Sequence, residues 1–223
     1  MSDYVTFSVF KFDNTGSKYW ALSQMQLAHT QLKKVKGQSF YKLMGSGQQG
    51  FKPWPDFSSY ALLQVWDSKE AAKDFLDNSV IFKKYKNHSK KITTYFLQAF
   101  KARGQWNQKS IFKVEASQPD RIEEIVSLTR ASVNKRKIFK FWKTVPAAQL
   151  TLNAQTDLIY AKGFGEYPLT EMATFSHWKT YDAMRKYAYK SKGHQQAIKA
   201  TRKNHLFKEE MFASFRILKI ETC

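Results

Sequence analysis

Cysteine is almost missing from this chain of 223 residues: the only one, Cys223, stands at its end. An internal disulfide is excluded, and so is a metal site built on several thiolates. Long apolar runs are missing as well, the longest being far shorter than the roughly 20 residues a membrane-spanning helix needs. The opening residues, MSDYVTFSVFKF, show no basic stretch leading into an apolar one, so no signal peptide is expected. Acidic residues are scarce, 18 Asp and Glu against 37 Lys and Arg, which leaves a net charge of +19. HExxH, a Walker loop, a nucleophile elbow and a Cys–His pair are all absent, which removes the commonest hydrolase and nucleotide chemistries.

The positive charge falls in clusters: KKVK (33–36), KKYKNHSKK (83–91), KRKIFKFWK (135–143) and KATRKN (199–204). Such an excess attracts polyanions or an anionic membrane surface, although a solvated face accounts for charge runs equally well. No helix-turn-helix, zinc finger or RNA-recognition signature accompanies it, so no specific nucleic acid partner is expected. A reducing cytoplasm is the expected location, extending to a peripheral position at the inner membrane.

What the chain has in quantity is apolar and aromatic volume, 43% and 16% of residues, enough for a real core. It also repeats itself. YKLMGSG (41–47) parallels IYAKGFG (159–165), and YALLQVW (60–66) parallels MATFSHW (172–178). Setting Trp66 on Trp178, an offset of 112, also pairs Ala71 with Ala183, Ser79 with Ser191 and Phe82 with His194. Each half closes on a strand, 94–100 and 211–218. VTFSVFKF (5–12) and SIFKVEA (110–116) read as opening strands, and 17–35 and 119–133 as helices with apolar residues at three and four spacing. Ser117 or Asp120 would cap the second of these helices. Residues 134–156 have no evident counterpart, and Pro146 is expected to bound a helix there.

The resulting order, βαββαβ twice, predicts an α+β chain of two fused ferredoxin-like repeats. Burying the bare sheet faces against each other makes a pseudo-dimeric α+β barrel. The halves are 1–105, the structural copy, and 106–223, the copy expected to carry the site.

Taken in order, KYWALSQMQLAHTQL, FYKLMGSGQQGFKPWPDFSSYALLQVW, FWKTVPAAQ, AKGFGEYPLTEMATFSHW, MRKYAYKSKGHQQAIKATR and EEMFASFRIL resemble the spheroidene monooxygenase family, from about residue 5 to residue 218. The resemblance implies a haem protein that uses dioxygen to place a keto group on acyclic carotenoids. It also implies kinship with haem-degrading monooxygenases, chlorite dismutases and small antibiotic-biosynthesis monooxygenases. The chain departs from the family in favouring Lys over Arg. The expected function is a haem-dependent monooxygenase of an apolar, carotenoid-like small molecule, with O2 activated at His-ligated iron. A non-catalytic haem-binding protein and a cofactor-free monooxygenase of the antibiotic-biosynthesis type are the alternatives. Neither the electron donor nor the oligomeric state is legible.

His194 is the candidate metal ligand. On a helical wheel it lies with Tyr187, Ser191 and Ile198, as Phe82 does with Phe75, Ser79 and Lys86, so an inward imidazole replaces an inward phenyl ring. A core histidine with both nitrogens hydrogen-bonded fits the same pattern; the resemblance favours a haem ligand. His177 is the rival, placed by strand alternation on one sheet face with Phe175, opposite Ser176 and Trp178. It is the expected catalytic group, with Glu166 beside it. His29, His88 and His205 read as surface. Gly163 and Gly165, followed by Glu166, Tyr167 and Pro168, lack the third glycine of a dinucleotide loop and read as a tight turn or a close backbone approach to a flat ligand. Cofactor contacts are expected from Arg185, Ser191, Phe175, Trp178, Gly163 and Gly165. Lys143, Lys192 and Arg202 are further candidates for pairing with carboxylates. Phe139, Phe141, Trp142, Phe164 and Tyr167, with Phe175 and Trp178, are the candidate channel aromatics.

Overall fold

The computed structural model describes residues 3–48, 54–114 and 124–223, without the side chains at 147, 192–194 and 197. The first half runs β1 (Tyr4–Lys11), α1 (Thr15–Leu27), α2 (His29–Leu32), β2 (Gln38–Gly47), β3 (Pro55–Trp66), α3 (Lys69–Asn78), α4 (Val80–His88) and β4 (Lys91–Gly104). The second runs β5 (Ile125–Val133), α5 (Ile138–Asn153), β6 (Leu158–Tyr167), β7 (Glu171–Trp178), α6 (Tyr181–Lys190), α7 (Lys192–Asn204) and β8 (Phe207–Thr222). Both are βαββαβ, as expected.

The eight strands close into one barrel in the order β1-β3-β2-β6-β7-β5-β8-β4, every neighbour antiparallel. Closure leaves no unpaired sheet edge. Two seams join the halves. The β4–β8 seam runs from Thr93 opposite Thr222 to Gly104 opposite Met211, whereas β2 meets β6 only at Gly45–Gly165 and Ser46–Phe164. Because one face of each strand looks into the barrel and the other under a helix layer, both faces are buried. That is why β1 and the end of β3 are almost continuously covered instead of alternating.

Local chemistry repeats with the halves. Ser68 and Thr180, at matching positions, cap α3 and α6 by accepting the amides of Ala71 and Ala183, each at 3.1 Å. Inside the barrel, side chains from both halves interdigitate. Phe7 of β1 stacks on Phe175 of β7 with ring centres 4.2 Å apart, and Tyr95 of β4 meets the same ring edge-on.

Three expectations are corrected. Residues 110–114 have no regular structure and the rest of the expected strand 110–116, with the Ser117 and Asp120 caps, lies outside the described residues. The segment 125–133, read as helix, is the strand β5, paired on both sides by β7 and β8. Its β-branched Ile125, Val126, Thr129 and Val133 suit a doubly buried strand, and pairing overrides the three-four spacing. The second half's first helix is therefore α5, inside the stretch thought to have no counterpart. Pro146 lies within α5 and not at its boundary, withholding the amide that Trp142 carbonyl would accept.

One end of the barrel is plugged by the connection between halves. Trp106, fully buried, donates its indole N–H to Glu166 at 2.7 Å, and Glu166 pairs with Lys42. The Arg130 guanidinium lies over Trp106 and pairs with both Glu171 and Glu209. Glu209 also accepts the amides of Asn107 and Gln108, at 3.0 and 2.6 Å, which hold those two residues in the left-handed region. Burial pushes the Glu209 carboxyl up, but the Gln108 and Asn107 amides and Arg130 outweigh it and leave it below the ordinary carboxylate value.

Removing Arg130 leaves two covered carboxylates unpaired. Arg130→Ala is expected to lower the unfolding free energy by about 3–5 kcal/mol in urea titrations at pH 7. Glu209, whose folded value is depressed, contributes stability that is present above its unfolded value of about 4.3 and lost as pH falls through the lower folded one. The gap between wild type and Glu209→Gln therefore narrows on acidification; a gap constant from pH 7 to 3 contradicts this.

Candidate functional site

The barrel interior is packed with side chains of both halves, and the space of interest lies between the sheet and a helix layer. In the first half the counterpart of that space is packed. Phe10, Leu62, Trp66, Phe75, Phe82 and Tyr85 are all buried there, with Phe10 4.4 Å from the Tyr85 ring centre and 6.0 Å from that of Phe82. In the second half, a cavity of about 430 Å³ opens between β5, β7 and β8 below and α5, α6 and α7 above. That volume is within the range of about 300–1,000 Å³ usual for small-molecule sites.

The pairing registers explain the difference residue by residue. Phe10 faces Tyr60 across β1–β3 as Ala131 faces Met172 across β5–β7, so Ala131 stands in the place of Phe10. By the same register Thr174 replaces Leu62 and Ser176 replaces Gln64. On the closing strands, Phe96 opposes Thr6 as Ser214 opposes Ser127, so a serine replaces a phenylalanine. On the helices, the offset of 112 puts Ala188 where the first half has Leu76, and Gly193, His194 and Ala197 where it has Ile81, Phe82 and Tyr85. Ala131, Met172, Thr174, Ser176 and Ala188 all line the cavity. One layer is packed and its twin is hollow.

Trp178 and Tyr187 form part of the wall, ring centres 5.3 Å apart. Trp178 donates its indole N–H to Ser176 Oγ at 2.9 Å, which satisfies the only polar atom of a buried indole. The Tyr187 hydroxyl donates to the Ala148 carbonyl of α5 at 3.3 Å. Burial pushes the Tyr187 phenol up to about 12, against a weaker pull from Thr151, so it remains a protonated donor at neutral pH. Met184, Leu152 and Phe212 add to the apolar lining.

Of the residues expected to form a site, Trp178, Arg185, Arg202, Phe141 and Trp142 are at this cavity. Arg185, exposed, lies 3.9 Å from Asp182 and over the Tyr181 ring. His194 is the third residue of α7, one turn before Ile198 and two before Thr201, both of which line the cavity. Its side chain, with those of Lys192 and Gly193, lies outside the described residues. Ser191 precedes α7; its hydroxyl is buried and has no partner among the described residues, whereas its counterpart Ser79 accepts the Phe82 amide.

The others are elsewhere. Phe175 and His177 do share a face, but it is the barrel interior, with the sheet between them and the cavity. His177 Nε2 lies 3.0 Å from a Glu124 carboxylate oxygen, and its ring meets Tyr95 edge-on. Glu166 belongs to the barrel plug. Gly163 and Gly165 lie in mid-strand opposite Thr174 and Met172 and not in a turn; a Cβ on Gly165 would come within 2.8 Å of the Glu171 carbonyl oxygen, so the close approach there is between strands. Phe164 is in the barrel core, while Phe139, Tyr167 and Lys143 face solvent. His29 and His88, read as surface, are half-buried, the first 3.0 Å from the Tyr41 hydroxyl and the second stacked on Trp20. Tyr187, grouped with His194 on the helical wheel, does line the cavity; Met172, Met184, Phe207 and Phe212 are lining residues that sequence reasoning missed, and extending the 112 offset along β7 and α6 would have reached the first two.

No protein-family model matches the chain. It is 35% identical over 216 residues to the spheroidene monooxygenase of Rhodobacter capsulatus, covering 96% of this chain and 90% of that protein. With the spheroidene monooxygenase of Cereibacter sphaeroides it shares 33% over 216 residues, covering 96% and 66%. Among solved structures, two of aldoxime dehydratase, one of them with butyraldoxime, superpose with TM-scores of 0.64 and 0.65. They cover 97% of this chain and 82% and 80% of those chains, at 9% and 8% identity, and so speak for the fold.

Restoring the first half's residues should close the cavity. The double variant Ala188→Leu, Thr174→Leu is expected to gain about 1–2 kcal/mol against urea and to lose the fluorescence response of an apolar dye such as ANS. A full dye response in the variant would show that the void is not where apolar ligands enter.

Proposed function

The chain belongs to the spheroidene monooxygenase family and is an oxidoreductase of that kind, and we propose that it is a haem-dependent monooxygenase of an apolar, carotenoid-like polyene. The observation that carries the reading is the hollowing of one helix layer. Seven positions that are large and apolar in the first half hold Ala, Thr, Ser, Gly or His in the second, and natural interiors do not leave such a volume without use.

The residues around the void suit a flat, apolar macrocycle with an acidic edge. Met172, Met184, Leu152 and Phe212 supply soft apolar walls that exclude water, and Trp178 and Tyr187 supply ring faces. Arg185 and Arg202 are cavity residues that also reach solvent, the placement needed to pair with propionate carboxylates while the apolar body stays covered. His194 enters as the iron ligand through its register in α7, on the turn that precedes Ile198. When bound, a histidine-ligated porphyrin iron supplies the oxygen chemistry that no side chain of this inventory carries. The protein's own work is positional. The Trp178–Ser176 hydrogen bond fixes one wall, and the Tyr187–Ala148 hydrogen bond ties α6 to α5 across the cavity roof. A polyene has no polar group to anchor, so orientation of its reacting C–H bond rests on shape alone, which favours an apolar and aromatic lining.

The test is hemin titration of the purified chain, followed by absorbance and tryptophan quenching. Wild type is expected to take up one hemin with a Soret band of histidine-ligated haem. His194→Ala should weaken binding by more than the roughly 10–100-fold that loss of a ligand's hydrogen-bonding neighbour costs. His177→Val, which installs the first half's Val65, should leave the spectrum unchanged. An unaltered spectrum in His194→Ala, or its loss in His177→Val, overturns the ligand assignment. A normal spectrum without oxygenation of a carotenoid by wild type, under reductant, would reduce the chain to a haem carrier.

A further inference from the structure

We infer that the outer face of α5 is a docking surface for an anionic phospholipid bilayer. A surface helix ordinarily pairs an apolar stripe with a polar one, and α6 and α7 do so. Helix α5 does not. Phe141, Trp142, Val145, Ala148 and Leu152 line the cavity. On the opposite side Phe139, Lys143, Pro146 and Leu150, spaced by four, three and four, are exposed, with Phe139 86% and Leu150 73% accessible. Trp142 Nε1 donates to the Leu169 carbonyl at 3.4 Å, so the β6–β7 turn, with exposed Tyr167 and Leu169, is held against the same helix.

Charge says what covers this face. The segments 135–154 and 181–204, which form the helix layer, hold 12 Lys and Arg against the single acid Asp182. Bulky apolar side chains projecting from a strongly basic layer fit an interface of acyl chains under anionic headgroups, where the rings enter and the cations stay at headgroup level. Duplex nucleic acid would use the charge but leave Phe139 and Leu150 in water. Among the described residues no helix is long and apolar enough to cross a membrane, which leaves attachment from one side as the mode available to these helices. The same helix walls the cavity, so docking would set the cavity against the lipid phase in which apolar polyenes dissolve. The docking itself does not depend on the haem assignment.

Vesicle flotation of the whole chain tests it, with phosphatidylcholine alone and with phosphatidylcholine containing phosphatidylglycerol. Strong binding is expected only with phosphatidylglycerol, falling as salt is raised. Phe139→Ser with Leu150→Ser should weaken it at least about ten-fold. Lys140→Gln with Lys143→Gln should weaken it about 25-fold at low salt, roughly five-fold per charge. Both variants should bind hemin as wild type does, which separates failure of docking from failure of the cofactor reading. Vesicle binding untouched by Phe139→Ser and Leu150→Ser overturns the proposal. So does binding to duplex DNA or RNA in place of vesicles.

Discussion

The stack of Phe7 on Phe175 at the centre of the barrel is the contact from which the rest follows. It exists because each four-stranded sheet has one face that its own helices cannot cover, and the two uncovered faces bury each other. Once they do, the interior is full of side chains from both halves and closed at one end by Trp106 and the ion pairs of Glu166 and Arg130 beside it. A site must lie outside the strands, under a helix layer, and two such layers are available.

Duplication makes it possible to treat those layers differently. Emptying a packed layer is expensive: each large-to-small change in a core costs about 2–5 kcal/mol when nothing refills the space. Here the first copy keeps its full aromatic packing around Phe10, Phe75, Phe82 and Tyr85, and the barrel has no edge strands to protect. The second copy can then carry smaller residues at the same positions, with α5 and α7 roofing the gap. The exchange of Phe82 for His194 is one member of a concerted series that includes Ala131, Thr174, Ser176 and Ala188. A lone imidazole for a phenyl ring would be a packing variant; here it is one of several such exchanges at matching positions of the second half.

Much of the architecture was legible in the chain because the strongest signals were local and repeated. The two Trp-ended strands located β3 and β7, and the constant offset matched the residues of α3 and α6 that follow them. The misreading of β5 as helix came from a segment whose apolar residues satisfy three-four spacing while its β-branched residues and its two partner strands hold it extended. Strand alternation correctly grouped Phe175 with His177 and Ser176 with Trp178. It could not say which pair faced the cavity, because both faces of a barrel strand are buried and neither is marked by polarity. Phe175 and His177 lie across the sheet from the void, and Glu166, read with the Gly163–Pro168 turn, pairs with Trp106 and Lys42. The cavity itself was visible only as an absence of volume, which becomes readable once the registers align the two halves.

A crystal structure of the chain grown with hemin tests the central claim most directly. The account predicts porphyrin density between α5, α6, α7 and the β5–β7–β8 face, with the His194 imidazole on the iron and Arg185 or Arg202 near a propionate. A porphyrin held by another residue, or a second half whose cavity stays empty while hemin sits elsewhere, would contradict it.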